Sequence, residues 1–116
     1  MDETKQQPAA AAPESKLLEF YGYACPHCKK MEPLVAELEK ELGVAVQKYE
    51  VWKDEQNARL METYDAGLCM GVPFFYNTAN KKFICGEADY GALKSWAQDG
   101  LFSKYWYYRK SLKTSL

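Results

Sequence analysis

Two cysteines three residues apart, Cys25 and Cys28 in "GYACPHCKKMEP", are the residues best suited to chemistry in this chain. Such a pair can be half of a metal site, a structural staple or a redox centre. Disulfide exchange needs a thiolate, so it needs a thiol whose pKa is lowered from about 8.5. Pro26 suits the first position of a helix, because its φ is fixed and its missing N–H is not needed there. Cys25 would then be the N-cap, where unpaired N–H groups and the positive end of the helix dipole favour an anion. Cys28, three residues on, shares that helical face and can displace whatever Cys25 has captured. His27, the one histidine in the chain, lies between the two; an imidazole near the sulfur would stabilise the thiolate further and make the pair more oxidising. The competing reading of His27 is an exposed residue without effect.

The elements that must position this pair follow from periodicity. Residues 16–23, KLLEFYGY, form an apolar and aromatic run ended by Gly22, which predicts a buried strand. Glu19 interrupts it; in a central strand its carboxyl would be buried and its pKa raised. Met31, Leu34, Val35, Leu38 and Leu42 recur at helical steps up to Gly43, with Pro33 inside the helix and expected to kink it. VAVQKYEVW (44–52) reads as a second strand, and 54–67 as a helix stopped by Gly67. VPFFYN and KFICGE, joined by a polar turn, predict a hairpin. Asp89 is the expected N-cap of a last core helix bearing Tyr90, Leu93, Trp96 and Ala97 and ending at Asp99-Gly100. The order is βαβαββα: an α/β fold whose central mixed sheet is flanked by helices, with the cysteine pair beyond the carboxyl end of the first strand, where such sheets carry their sites.

Composition narrows the function classes. The 116 residues predict one domain, and 47% hydrophobic residues suffice for a core without staples. Fifteen Lys and Arg against sixteen Asp and Glu leave a net charge of -1, so no global field points to nucleic acid. Residues 1–15, rich in Ala, Gln and Pro, read as a disordered tail or linker, or as what is left of a longer chain. No apolar stretch reaches the roughly 20 residues of a membrane span, and no signal-peptide core is visible. The compartment stays open between cytoplasm and organelle. Residues 101–116 carry Lys104, Arg109, Lys110 and Lys113 among aromatics; packing as a final helix is the favoured reading, and docking on a membrane or a partner is the other.

Taken together, the βαβαββα order, "CPHC" at 25–28 opening a helix, Pro33 eight residues after the first cysteine and "GVP" at 71–73 before a strand resemble the thioredoxin superfamily over residues 16–100. With no strand and helix ahead of residue 16, the core resembles the shorter, glutaredoxin-sized version. The resemblance implies a cis-proline at Pro73, after Val72, beside the redox pair. Tyr23 and Ala24 on one side, with Gly71 and Val72 on the other, would then form a shallow apolar groove for an extended, thiol-bearing polypeptide. It also implies that Glu19 occupies the place of the buried acid that helps deprotonate the resolving cysteine, with Lys48 near it. The "CPHC" tetrapeptide resembles that of periplasmic disulfide oxidases, whose large helical insertion is missing here.

The activity so implied is thiol-disulfide exchange on protein disulfide and dithiol substrates, fed by an upstream thiol reductant or oxidant. No prosthetic group or metal is called for, and the protein is expected to act as a monomer. A glutathione-linked reductase and a non-catalytic adaptor or redox sensor are the competing readings. Cys69 and Cys85 are expected to be inert, Cys85 as a small buried residue of "FIC" and Cys69 near the groove, open to glutathionylation or an intermolecular bridge. A four-cysteine zinc site is disfavoured, because ligands normally come as two close pairs.

Overall fold

The first strand sets the architecture. In the computed structural model, which describes residues 15–98, β1 (Leu17–Tyr21) has its first four residues buried. A strand with both faces covered must be central, and this one is. It pairs in parallel with β2 (Val46–Glu50) and antiparallel with β3 (Phe74–Asn77), which pairs antiparallel with β4 (Phe83–Cys85) at the edge. The sheet order is β2-β1-β3-β4. The strands are shorter than the apolar runs suggest, since residues flanking them serve the turns instead.

Alternation along each strand divides the core in two. Leu17, Val46 and Phe75 face α1 (Pro26–Leu42) and α3 (Tyr90–Ala97), packing on Met31, Val35, Leu38, Leu93 and Trp96. Leu18, Phe20, Tyr49 and Phe74 face α2 (Glu55–Asp65) and pack on Met61. On this side the Phe20 ring stacks against both Tyr49 and Phe74, with centroids 5.4 and 5.9 Å away. Burying each such ring stabilises the fold by about 2 kcal/mol. Glu19, between Leu18 and Phe20, therefore points to the α1 side, paired in register with Lys48 and Phe75.

Each helix is capped by its own chemistry. Cys25 caps α1, Asp54 accepts the Asn57 N–H for α2, and Asp89 accepts that of Ala92 for α3. Gly43 ends α1 in the left-handed conformation at φ +66°. The helix continues through Pro33, whose exposed position leaves the Lys29 carbonyl on the solvent side. Trp96 locks α3 to the hairpin: its carbonyl accepts from Asn77 Nδ2 at 2.9 Å, and its indole N–H donates to the Lys82 carbonyl at 3.2 Å. The expected end of this helix at Asp99-Gly100, and the segments 1–14 and 101–116, lie outside the described residues.

Loop 66–73 departs from the sequence reading. The helix stops at Asp65, one turn position earlier than Gly67 suggests, and Ala66 takes the left-handed conformation at φ +48°. Met70 does so too, at φ +63°. Each left-handed non-glycine residue costs roughly 1–2 kcal/mol. Asp65 offsets this: its buried carboxylate accepts the N–H groups of Cys69 and Met70 at 2.5 and 2.7 Å. Asp65→Ala should therefore lower unfolding free energy by about 3 kcal/mol in urea titration. Asp65→Asn, which keeps one acceptor oxygen, should lose roughly half of that.

Candidate functional site

Cys25 lies where a helix most needs an acceptor. Its N–H bonds to the Gly22 carbonyl at 3.1 Å, closing a turn that leaves the Cys25 backbone extended. Its own carbonyl takes the Lys29 N–H, the first bond of α1, at 3.1 Å. Its sulfur accepts the Cys28 N–H at 3.1 Å. Pro26 follows at the start of α1 as the sequence predicts. Cys25 and Cys28 are joined in a disulfide, and both are almost fully buried. Across from them, the Val72 carbonyl lies 3.9 Å from the Cys25 sulfur, and the Val72–Pro73 peptide is cis.

Beneath the pair is a cavity of about 260 Å³ lined by Glu19, Tyr21, Cys28, Glu32 and Lys48. Glu19 is only 3% exposed. Burial pushes its pKa up to about 7, Lys48 pulls it back in part, and Glu32 and Glu39 add to the rise. Lys48 does not close an ion pair with Glu19: its ammonium donates to Glu39 at 2.9 Å and to the Val46 carbonyl at 3.1 Å. Burial raises the Glu39 pKa, but the Val46 N–H and Lys48 outweigh it and hold the carboxyl below its ordinary value. Glu19 thus titrates near neutrality in the cavity that Cys28 also lines.

The groove beside Cys25 is built by two carboxylates that capture backbone N–H groups. Asp65 shapes loop 66–73. Glu50, at the end of β2, accepts from Tyr23 and Lys53 at 2.9 Å, from Trp52 at 3.1 Å and from Asp54 at 3.3 Å. Burial would raise the Glu50 pKa, but these N–H groups lower it below the usual carboxylate range. The turn so fixed lays the Trp52 indole against Gly22, where any Cβ would overlap the ring. Trp52 meets the Tyr23 ring edge-on at 6.1 Å, and Lys53 sits 4.2 Å over that ring. A cavity of about 510 Å³ runs between the two loops, lined by Val51, Trp52, Met61, Met70, Gly71 and Val72.

Of the expected groove residues, Gly71 and Val72 line this cavity, Tyr23 is at its rim through Trp52, and Ala24 is exposed in the turn. Sequence reasoning missed Trp52, Met70, Glu50 and Asp65. Trp52 belongs to an apparent strand, and neither acid differs in sequence from a solvated charge.

His27 is exposed, and its Nδ1 meets the Glu87 carboxylate. That hydrogen bond, opposed by burial and helped by Lys30 at 3.9 Å, lowers the Glu87 pKa. The imidazole therefore faces a carboxylate from the β4–α3 loop, a partner not visible from sequence.

Cys69 and Cys85 correct the sequence reading. They are not unpaired: they form a disulfide with each other, Cα atoms 5.5 Å apart. Cys85 is not a buried residue either, because β4 is an edge strand and its last residue is exposed. The four cysteines thus form two separate pairs rather than converging on one centre.

The buried Glu19 makes stability depend on pH. Its pKa of about 7 in the fold exceeds the ordinary 4.5. Its contribution is complete below pH 4.5 and is lost as pH rises through about 7. Relative to the native oxidised protein, Glu19→Gln should gain about 3 kcal/mol between pH 4.5 and pH 8 in urea unfolding. A pH-independent difference would mean that Glu19 is ionised in the fold.

The thioredoxin family model matches residues 2–99. Among solved structures, a thioredoxin point variant from Halobacterium salinarum is similar at 28% identity and a TM-score of 0.56, over 73% of this chain and 76% of that one. A glutaredoxin from Archaeoglobus fulgidus, at 18% identity and a TM-score of 0.55 over 83% and 99% of the two chains, shares the fold. Among curated proteins there is no significant match. With a family match across most of its length and a Cys-x-x-Cys pair closed at the head of α1, the chain belongs to the thioredoxin family.

Proposed function

We propose that the protein is a thiol-disulfide oxidoreductase that reduces or exchanges disulfides in polypeptide substrates, with Cys25 as nucleophile and Cys28 as resolver. The observation that carries this reading is the Cys28 N–H directed at the Cys25 sulfur at the start of α1. In the reduced state that donor and the helix dipole favour a thiolate. Burial works against the charge, so the N–H groups have to outweigh it.

The steps follow from the two cavities. An extended substrate lies along Val72 with its disulfide over Cys25. The Cys25 thiolate attacks one substrate sulfur, and the other leaves as a thiolate that takes a proton. Cys28, deprotonated toward Glu19 directly or through water in the cavity, then attacks Cys25. The second substrate thiol leaves, and the Cys25–Cys28 disulfide remains. Glu19 suits this role because its carboxylate and its acid are both populated near neutral pH. Tyr23, Trp52 and Met70, all exposed, give the groove an apolar rim suited to a polypeptide. Glu87 bears on the direction of flow: a carboxylate against His27 offsets the positive charge that would otherwise make the pair more oxidising.

Alkylation of the reduced protein at graded pH tests the central step. Cys25 should titrate at or below about 7.5 and Cys28 well above it; a Cys25 no more reactive than a free thiol would remove the assignment. Dithiothreitol-driven insulin reduction should fall to the uncatalysed rate in Cys25→Ser, while Cys28→Ser should accumulate mixed disulfides. Glu19→Ala should slow release of the mixed disulfide by about 100-fold near neutral pH and less at high pH, where Cys28 ionises unaided.

A further inference from the structure

The second disulfide lies outside the reaction drawn above. It joins Cys69, in the loop that forms one wall of the groove, to Cys85 at the end of the edge strand β4. That loop contributes Met70, Gly71 and Val72 to the groove and brings the Val72 carbonyl to Cys25. Besides the disulfide, it is held by the Asp65 carboxylate at the N–H groups of Cys69 and Met70, by the Leu68 N–H on the Asp65 carbonyl and the Gly86 N–H on the Pro73 carbonyl, both at 2.8 Å, and by Val72 packing on the core. Two of its residues, Ala66 and Met70, sit in the left-handed region, so the wall has a conformational tension that its ties must hold.

The two sulfurs differ in access. Cys85 is exposed, whereas Cys69 is half-buried and packs against the α2-side core. A thiol arriving from solvent therefore meets Cys85 first. Cys69, once released, has an acceptor ready, because its sulfur lies 3.4 Å from the Gly71 carbonyl.

We propose that Cys69–Cys85 is a second thiol-exchange site, opened by a small thiol of the glutathione class, whose state sets how firmly the Met70–Val72 wall is held beside Cys25. This rests on the reading that the groove takes the substrate polypeptide. In the first step a glutathione thiolate attacks the Cys85 sulfur: the Cys69–Cys85 bond breaks, a glutathione–Cys85 disulfide forms, and Cys69 leaves as a thiolate that takes a proton from water. In the second, another glutathione thiolate attacks the glutathione sulfur of that mixed disulfide. Glutathione disulfide leaves, Cys85 is protonated, and the protein has gained two electrons and two protons. The closed form keeps the wall in register with Cys25; the open form leaves it on the bonds to Asp65 and Gly86 and the packing of Val72 on the core, and weakens substrate binding without touching the Cys25–Cys28 chemistry.

The test has two arms. In a Cys25→Ser, Cys28→Ser protein, the remaining pair is equilibrated in glutathione buffers of graded ratio, quenched with maleimide and weighed, with amide hydrogen exchange followed alongside. The expected result is a reversible transition within the glutathione range, with faster exchange confined to residues 66–73 and 85–87. A pair that stays oxidised throughout, or an exchange increase spreading across β1 and α1, would make the bond a structural staple and overturn the proposal. In the second arm, Cys69→Ser with Cys85→Ser should raise KM for a disulfide-containing peptide several-fold at unchanged kcat. An unchanged KM would sever the link to the groove and overturn the proposal as well. If the native protein turns over no disulfide peptide at all, the reading of the groove falls instead, and the link to the groove falls with it; the titration arm then still decides whether the pair exchanges.

Discussion

A helix begins with N–H groups that no preceding turn can satisfy, and this site depends on a sulfur standing in for the missing acceptor. The substitution has two consequences that ordinary caps lack. A serine or aspartate in that position would only stabilise α1, whereas a reduced Cys25, on the proposed reading, would take the same stabilisation as a preference for its anionic state. It also fixes the partner: the N–H that reaches the sulfur belongs to Cys28 itself, so in the proposed reaction the residue that holds the nucleophile would be the one that displaces its product.

For this cap to work, the chain on either side must be immobile, and acids buried or half-buried at element ends supply that. Glu50 gathers four N–H groups into one turn, and Asp65 gathers two into another. Each replaces a stretch of secondary structure with a compact loop whose backbone is satisfied from within. The apolar residues these loops carry, Trp52 and Met70, are exposed on backbone that these acids hold. Glu19 is the contrast: it has no N–H groups of its own, so Lys48 offsets its burial only in part and its proton becomes labile near neutral pH.

Much of this was legible in the sequence, for identifiable reasons. Strand β1 has a near-continuous apolar run, α1 a clean stripe from Met31 to Leu38, and Asp89 an unambiguous cap, so their placement needed only periodicity and end chemistry. Pro26 and the position of Cys25 followed from what a helix start requires. The rest was hidden because it depends on contacts between segments far apart in the chain. Glu87 lies 60 residues from His27, and Cys85 lies 16 from Cys69 with nothing local to mark them as partners. Trp52 was absorbed into an apparent strand, because β-branched and aromatic residues look alike whether they pair in a sheet or cover a glycine. Gly22 shows the same limit. It reads as a strand terminator, whereas its structural necessity is the indole lying against it.

The stretch from the last residue of β4 into the loop after it brings these long-range contacts together. Within three residues it supplies Cys85 to the groove wall, the Gly86 N–H to the Pro73 carbonyl and the Glu87 carboxylate to His27. One side of this short segment is thus tied to the loop that ends at Val72 and Pro73 and the other to the helix that begins after Cys25. A displacement of residues 85–87 acts on both at once, because neither tie passes through the core of the sheet. The hydrophobic interior sets the fold and seats Val72, and polar and covalent links at the sheet's edge add to what holds it beside Cys25.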